Sequence, residues 1–120
     1  MSSPPIIDGH NDTLLNLLVP SRGGGRSFFE RSERGHVDLP RMQAGNMAGG
    51  FFAMFVPTPE EEVFRQTDHG YEVELAGPID QGYAWSQTDA MFSLLESLAA
   101  DQPDRFAITL TVNQIDACLA

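Results

Sequence analysis

Gly49-Gly50-Phe51-Phe52-Ala53-Met54-Phe55-Val56, closed by Pro57, is the stretch that most narrows the choice of fold. In an extended segment alternate residues share a face. Phe51, Ala53 and Phe55 then line one face, and Phe52, Met54 and Val56 the other. Both faces are apolar, which predicts a strand over 49–56 buried on both sides, as in parallel sheets covered by helices. Core packing explains this run better than a Phe/Met box around a cofactor.

The elements around it alternate in type. Pro4-Pro5-Ile6-Ile7 leads into a first strand over 6–9, and Thr13-Leu14-Leu15-Asn16-Leu17-Leu18 begins a short helix over 13–19. Residues 20–35 form a loop rich in Gly, Arg and Ser. Its Gly23-Gly24-Gly25 lacks the following Lys-Ser/Thr of a phosphate cradle and reads as a flexible loop. Asp38 suits the N-cap of a short helix over 38–44, with Pro40 in its first turn and Gly45 as the stop. Residues 57–77 read as acidic and irregular, with Glu60-Glu61-Glu62 a solvated face or helix start.

The best helix spans 83–100, where Ala84, Met91, Phe92, Leu95, Leu98 and Ala99 make one apolar stripe. A strand over 106–111 follows, and then a helix beginning at an Asn113 N-cap. Strands alternating with helices predict α/β with parallel pairing and about three strands. Ser2-Ser3 after Met1 reads as a natural start. The last helix, with no Gly exit or basic closing residue, reads as cut short.

The first strand ends in Asp8-Gly9-His10-Asn11-Asp12. His10 and Asp12 stand two apart, so an extended backbone turns both side chains to one side. Imidazole nitrogen and carboxylate oxygen suit zinc or its neighbours. The C-terminal end of a strand that runs into a helix is where (β/α) barrels carry their chemistry. The bland alternative is a strand-end turn or a cap. Asp8 and Asn11 are candidates either to orient His10 through hydrogen bonds or to form the turn. His36-Val37-Asp38 repeats the spelling. It follows a polar loop, and Asp38 is better used as the cap. His69, beside Asp68 and Gly70, reads as a surface histidine rather than a third ligand.

Composition excludes several classes. Net charge is −10, from 7 basic residues, all Arg, against 17 acids. That is the wrong sign for nucleic acid or an anionic membrane surface. The single Cys118 forms no internal disulfide, which is compatible with a reducing compartment. No basic leader or long apolar span is present, so the expected location is the cytoplasm.

The opening Ile7-Asp8-Gly9-His10-Asn11-Asp12 is followed by Gly35-His36-Val37-Asp38-Leu39-Pro40-Arg41-Met42-Gln43-Ala44-Gly45. Gly49-Gly50-Phe51-Phe52 and Val56-Pro57 come next. In this order the stretches resemble the membrane (renal) dipeptidase family, peptidase family M19 of the amidohydrolase superfamily. The resemblance covers the whole chain, loosely in the acidic loop and the later helix. It implies a metal-dependent (β/α)8 TIM-like barrel, of which residues 1–120 would be the incomplete N-terminal part. It implies zinc-dependent hydrolysis of dipeptides, often tolerant of a D-residue at the second position. It maps the family's first-strand ligands of the more buried zinc onto His10 and Asp12, and it gives His36 and Asp38 no metal role.

By the same resemblance the bridging glutamate, the later metal histidines and the substrate-holding histidine and arginine lie beyond Ala120. The 120 residues alone are then expected to be inactive and to hold at most part of a two-zinc site. They are also expected to expose apolar surface and associate. The expected partner is a dipeptide substrate, with no nucleic acid or membrane; a homodimer of the full-length protein is compatible with the reading. The rival readings are another metal-dependent amidohydrolase, acting on a cyclic amide or N-acyl amino acid, and a non-catalytic truncated chain.

Overall fold

A computed structural model describes residues 4–59 and 63–120. The proposed natural start at Met1 to Ser3 and the acidic run Glu60-Glu61-Glu62 lie outside the described residues. Strand β1, Ile6–Asn11, is followed by helix α1, Thr13–Leu18, a 3₁₀ turn over Pro20–Arg22, helix α2, Leu39–Ala44, and strand β2, Met47–Phe52. β1 and β2 pair in parallel, with Ile7 opposite Gly49, Asp8 opposite Gly50 and Asn11 opposite Phe52. A parallel pair needs a long crossover, and α1, the loop and α2 supply it. Strands β3, Phe64–Thr67, and β4, Gly70–Val73, form a separate antiparallel hairpin. Helices α3, Gln81–Asp101, and α4, Val112–Leu119, complete the described elements.

The core forms where the two short helices meet α3. Leu14, Leu15 and Leu17 of α1, Phe28 of the loop, Leu39 and Met42 of α2, and Met91 and Leu98 of α3 are buried in one cluster. Phe28 is its centre. Its ring meets Phe29, Phe52 and Phe106 edge to face at centroid distances of 5.5, 6.0 and 5.4 Å. This is the favoured arrangement for aromatic quadrupoles. Loop, strand and the chain after α3 are thus joined through one side chain.

α2 begins as its sequence predicts. Asp38 Oδ1 accepts from Arg41 N at 2.9 Å, Pro40 sits in the first turn, and Gly45 follows the last residue. The glycines at 23–25, in contrast, are not a loose loop. Gly23 and Gly24 are buried. Gly23 and Gly25 have φ of 103° and 77°. The amides of Gly23, Gly24 and Gly25 donate to the carbonyls of Pro20, Val19 and Leu17. Those amides are therefore spent on the chain itself and cannot cradle a phosphate.

Several expectations need correction. The strand expected over 49–56 is shifted to Met47–Phe52 and is not buried on both sides, for Phe51 is 70% exposed. β1 is likewise half-open, with Ile6 and Ile7 exposed. Residues 106–111 pair with no strand among those described, so the sheet has two parallel strands rather than about three. The hairpin lies in the segment read as irregular. Its signal was legible: Phe64 to Thr67 and Tyr71 to Val73 are rich in strand-favouring types around Asp68-His69-Gly70, and Gly70 takes φ 149°.

In α3 Met91 and Leu98 are buried, half-buried Leu94 and Leu95 pack beside them at helical spacing, and Phe92 is exposed. α4 starts at a Thr111 N-cap in a reciprocal capping box with Gln114, two residues before the Asn113 expected.

The described fold is open. Its radius of gyration is 17.2 Å, where a compact chain of this length has roughly 14 Å. Its accessible surface is 8820 Å², against about 6,400 Å² for a folded monomer of this mass. Much of the excess is apolar, including Phe55, Leu75, Trp85 and Leu110.

Candidate metal centre

Asn11, not Asp12, makes the turn that launches α1. Asn11 Oδ1 accepts from Thr13 N at 3.2 Å, while Asp12 occupies the N-cap position with no side-chain capping bond. Asn11 Nδ2 also donates to Asp8 Oδ2 at 2.9 Å. Gly50 on the paired strand makes room for that bond, since a Cβ there would come within 3.1 Å of Asn11 Nδ2 and 3.2 Å of the Asp8 Cβ. The hydrogen bonds of Asp8 and Asn11 thus run to each other and to the helix start; none reaches His10 among the described residues.

This division of labour leaves the Asp12 carboxylate unused by the fold. Its side chain is 38% exposed overall. Yet Oδ1 is shut off from solvent and accepts no hydrogen bond. His10 Nε2 lies 3.4 Å from that oxygen, on a side chain that is 69% exposed. The β1–β2 register is irregular between Asp8 and Asn11, so simple alternation does not dictate this approach.

A carboxylate oxygen withdrawn from water without a donor costs free energy. His10 Nε2 and Asp12 Oδ1 are both zinc donors by chemistry, and a bound cation would offset that cost. Two protein ligands fall short of the three of a catalytic zinc site. Among the described residues no three His, Cys, Asp or Glu side chains gather to hold a metal. His69 stands in the exposed hairpin turn, where its backbone N meets Thr67 Oγ1 at 3.4 Å.

The second His-x-Asp is built differently. Asp38 is fully buried and accepts from Arg41 N, from Ser32 N at 3.1 Å and from Arg41 Nε at 2.6 Å. Burial raises its pKa, but those donors and the Arg41 charge outweigh burial and hold it below the usual carboxylate range. Arg41 further donates to the carbonyls of Gly35 and Arg34. Asp38 and Arg41 therefore tie the loop to α2, and His36 stays exposed.

A cleft of about 570 Å³ adjoins the His10–Asp12 pair, with Asp12 in its wall. Asn16, Arg22, Arg34 and His36 line it as well. Sequence reasoning had not singled out Arg22 or Arg34. A cluster of five arginines between 22 and 41 in a chain of net charge −10 was the available signal.

Comparison with known proteins agrees with this architecture. A crystal structure of dipeptidase AC, a metallopeptidase of family M19, superposes with a TM-score of 0.73 at 34% identity; the match covers 95% of this chain and 31% of that one. A protein of Acinetobacter calcoaceticus, known as the uncharacterized protein in the PQQ-III 3′ region, is 39% identical over 54 residues, 44% of this chain and 17% of its own length. The chain thus spans less than a third of either. No helix among the described residues is long and apolar enough to cross a membrane. The sequence profile of the membrane dipeptidase family, peptidase family M19, matches residues 1–120, and the chain belongs to that family.

Proposed function

We propose that this chain is part of a zinc-dependent dipeptidase barrel and that His10 and Asp12 are two ligands of its metal site. The observation that carries the reading is Asp12 Oδ1, buried, without a hydrogen bond, and facing an imidazole nitrogen at 3.4 Å. Family membership and the likeness to an M19 metallopeptidase support it. When bound, zinc supplies Lewis acidity toward the peptide carbonyl and activates water at neutral pH, and in two-metal sites the ions share that work. His10 would donate the Nε2 lone pair and Asp12 the Oδ1 charge. Asp8 and Asn11 would hold the end of β1 through their mutual hydrogen bond and the bond to Thr13 N.

With two ligands in reach among the described residues, the 120-residue chain binds zinc weakly and turns over no dipeptide. Zinc titration of the chain tests this, with His10→Ala and Asp12→Ala as comparisons. Zinc affinity lowered about 10-fold or more by either change is expected, as for loss of a metal-site contact. Equal affinity in all three would overturn the ligand assignment, and dipeptide turnover abolished by His10→Ala would overturn the inactivity of the isolated chain.

A further inference from the structure

The β3–β4 hairpin stands apart from the rest of the fold. It is a separate two-stranded sheet between β2 and α3. From Val63 to Asp80 every residue except Thr67 is exposed. Among the described residues no helix and neither parallel strand packs extensively against it. The Tyr83 hydroxyl donates to the Pro57 carbonyl at 3.0 Å, which ties the start of α3 to the chain leaving β2.

The two faces of the hairpin differ. Residues opposite one another in an antiparallel pair share a face. Phe64 opposite Val73 and Gln66 opposite Tyr71 make one face; Arg65 opposite Glu72 and Thr67 opposite Gly70 make the other. The second face pairs its own charges, with Arg65 Nη1 3.9 Å from Glu72 and Nη2 3.8 Å from Glu74. The first face carries no charged side chain. Its Phe64 and Tyr71 rings stand 6.2 Å apart, yet the two residues are 65% and 73% exposed. Leu75, two residues beyond Val73, is exposed as well. A lone two-stranded hairpin is marginally stable in water, and this one leaves uncovered the side chains whose burial would stabilise it.

Further strands of a (β/α)8 barrel extend the parallel sheet, to which this hairpin does not belong. Adding them does not pair the hairpin. The area of the face points to an occupant. Phe64, Tyr71, Val73 and Leu75 leave about 450 Å² of apolar surface uncovered. Two copies face to face would bury about 900 Å², the size of a weak specific interface. A two-fold copy offers an equal, uncharged face and keeps both sets of Arg65 ion pairs on the outside, so no charge is buried unpaired.

We propose that the apolar face of the β3–β4 hairpin is a self-association surface, on which a second copy of this chain packs its own hairpin about a two-fold axis. The proposal is independent of the dipeptidase reading, since it needs neither metal nor substrate.

Sedimentation equilibrium of the chain under reducing conditions tests it. A monomer–dimer equilibrium is expected, with a dissociation constant of about 10 µM to 1 mM. Added salt should strengthen it, because two chains of net charge −10 repel each other. Phe64→Glu or Tyr71→Glu should weaken it about tenfold or more. Phe51→Glu, on the exposed side of the parallel pair, should leave it unchanged. A second measurement does not depend on lost binding. On a Cys118→Ser background, Gln66→Cys places a thiol on the apolar face and Glu72→Cys places one on the charged face. A short bismaleimide is expected to link the Gln66→Cys chain into dimers and to leave the Glu72→Cys chain monomeric.

A chain that stays monomeric at millimolar concentration and is not linked through Gln66→Cys would overturn the proposal and leave the face to a different protein. Association that survives both glutamate substitutions, or that Phe51→Glu abolishes, would assign self-association to the open side of β1–β2 instead. Equal cross-linking from the two faces of the hairpin would likewise contradict the two-fold contact.

Discussion

Arg41 Nε donates to Asp38 Oδ2 at 2.6 Å, while the backbone N of the same arginine donates to Asp38 Oδ1 at 2.9 Å. One carboxylate thus caps α2 and fixes the guanidinium that reaches the carbonyls of Gly35 and Arg34. Removing it leaves a partly buried cation and an uncapped helix. Asp38→Ala is expected to cost about 3–5 kcal/mol. Equilibrium urea unfolding measures the loss, and a change under about 1 kcal/mol would contradict the role assigned to the pair.

The same contact sets an acid dependence. Asp38 titrates below the usual carboxylate range when folded and near 4 when unfolded. A lowered folded pKa contributes stability that is fully present above the unfolded pKa. It is lost as pH falls through the folded one. The urea midpoint should therefore drop below about pH 4 in the wild-type chain, and the Asp38→Asn variant should show a shallower drop. Parallel pH profiles for the two would contradict it.

Gly24 and Gly50 should respond differently to a methyl group. A Cβ on Gly24 would lie 2.7 Å from the Val19 carbonyl carbon, which is backbone and cannot swing aside. On Gly50 the nearest atoms are side-chain atoms at 3.1 Å or more. Gly24→Ala is expected to cost about 2–3 kcal/mol, and Gly50→Ala about 1 kcal/mol. The comparison is by thermal or urea unfolding, and the reverse order would show that the β1–β2 contact, not the turn, is the tighter one.

Asn11 and Asp12 separate structure from chemistry. Asn11→Ala removes both the Thr13 N acceptor and the Asp8 contact and should cost about 1–2 kcal/mol. Asp12→Ala removes no hydrogen bond made by the fold and should leave stability within about 0.5 kcal/mol. Unfolding midpoints of the two variants provide the check; a large loss in Asp12→Ala would assign that carboxylate to the fold.

At α4 the cap itself is testable. Thr111 Oγ1 accepts from Gln114 N, and Gln114 Oε1 accepts from Thr111 N at 3.0 Å. Thr111→Ala should lower helix content and cost about 1 kcal/mol, whereas Asn113→Ala should be close to neutral. Circular dichroism with urea unfolding of both variants decides between the two positions.

The local chemistry was legible wherever a short-range rule governs it. Asp38, Pro40 and Gly45 bound α2 where the sequence places them because cap, first-turn proline and stop act within a few residues. The His10-Asn11-Asp12 strand end reads from the same few positions. Its division of roles does not: alternation predicts that His10 and Asp12 share a side, but not that Asn11 takes over the turn and leaves Asp12 Oδ1 unpartnered. That outcome depends on the Asp8–Asn11 bond fitting over Gly50, a contact across the parallel pair.

Burial was the quantity that local pattern misjudged. An apolar run is read as buried on both faces, but Phe51 and Phe55 stand exposed, because burial depends on what packs against a strand and not on its own composition. The segment over 106–111 has strand-like residues and no partner strand among those described, for pairing is a property of two segments. Arg22, Arg34 and His36 are spread over fifteen positions of loop, and only the packing of the glycine turn against Val19 and Arg34 brings them to one cleft beside Asp12. The sequence by itself determined the limits of α2 and the family, because these are written in adjacent residues. The tertiary structure alone decided which carboxylate stays free and where the positive charge collects, because both follow from contacts between residues far apart in the chain.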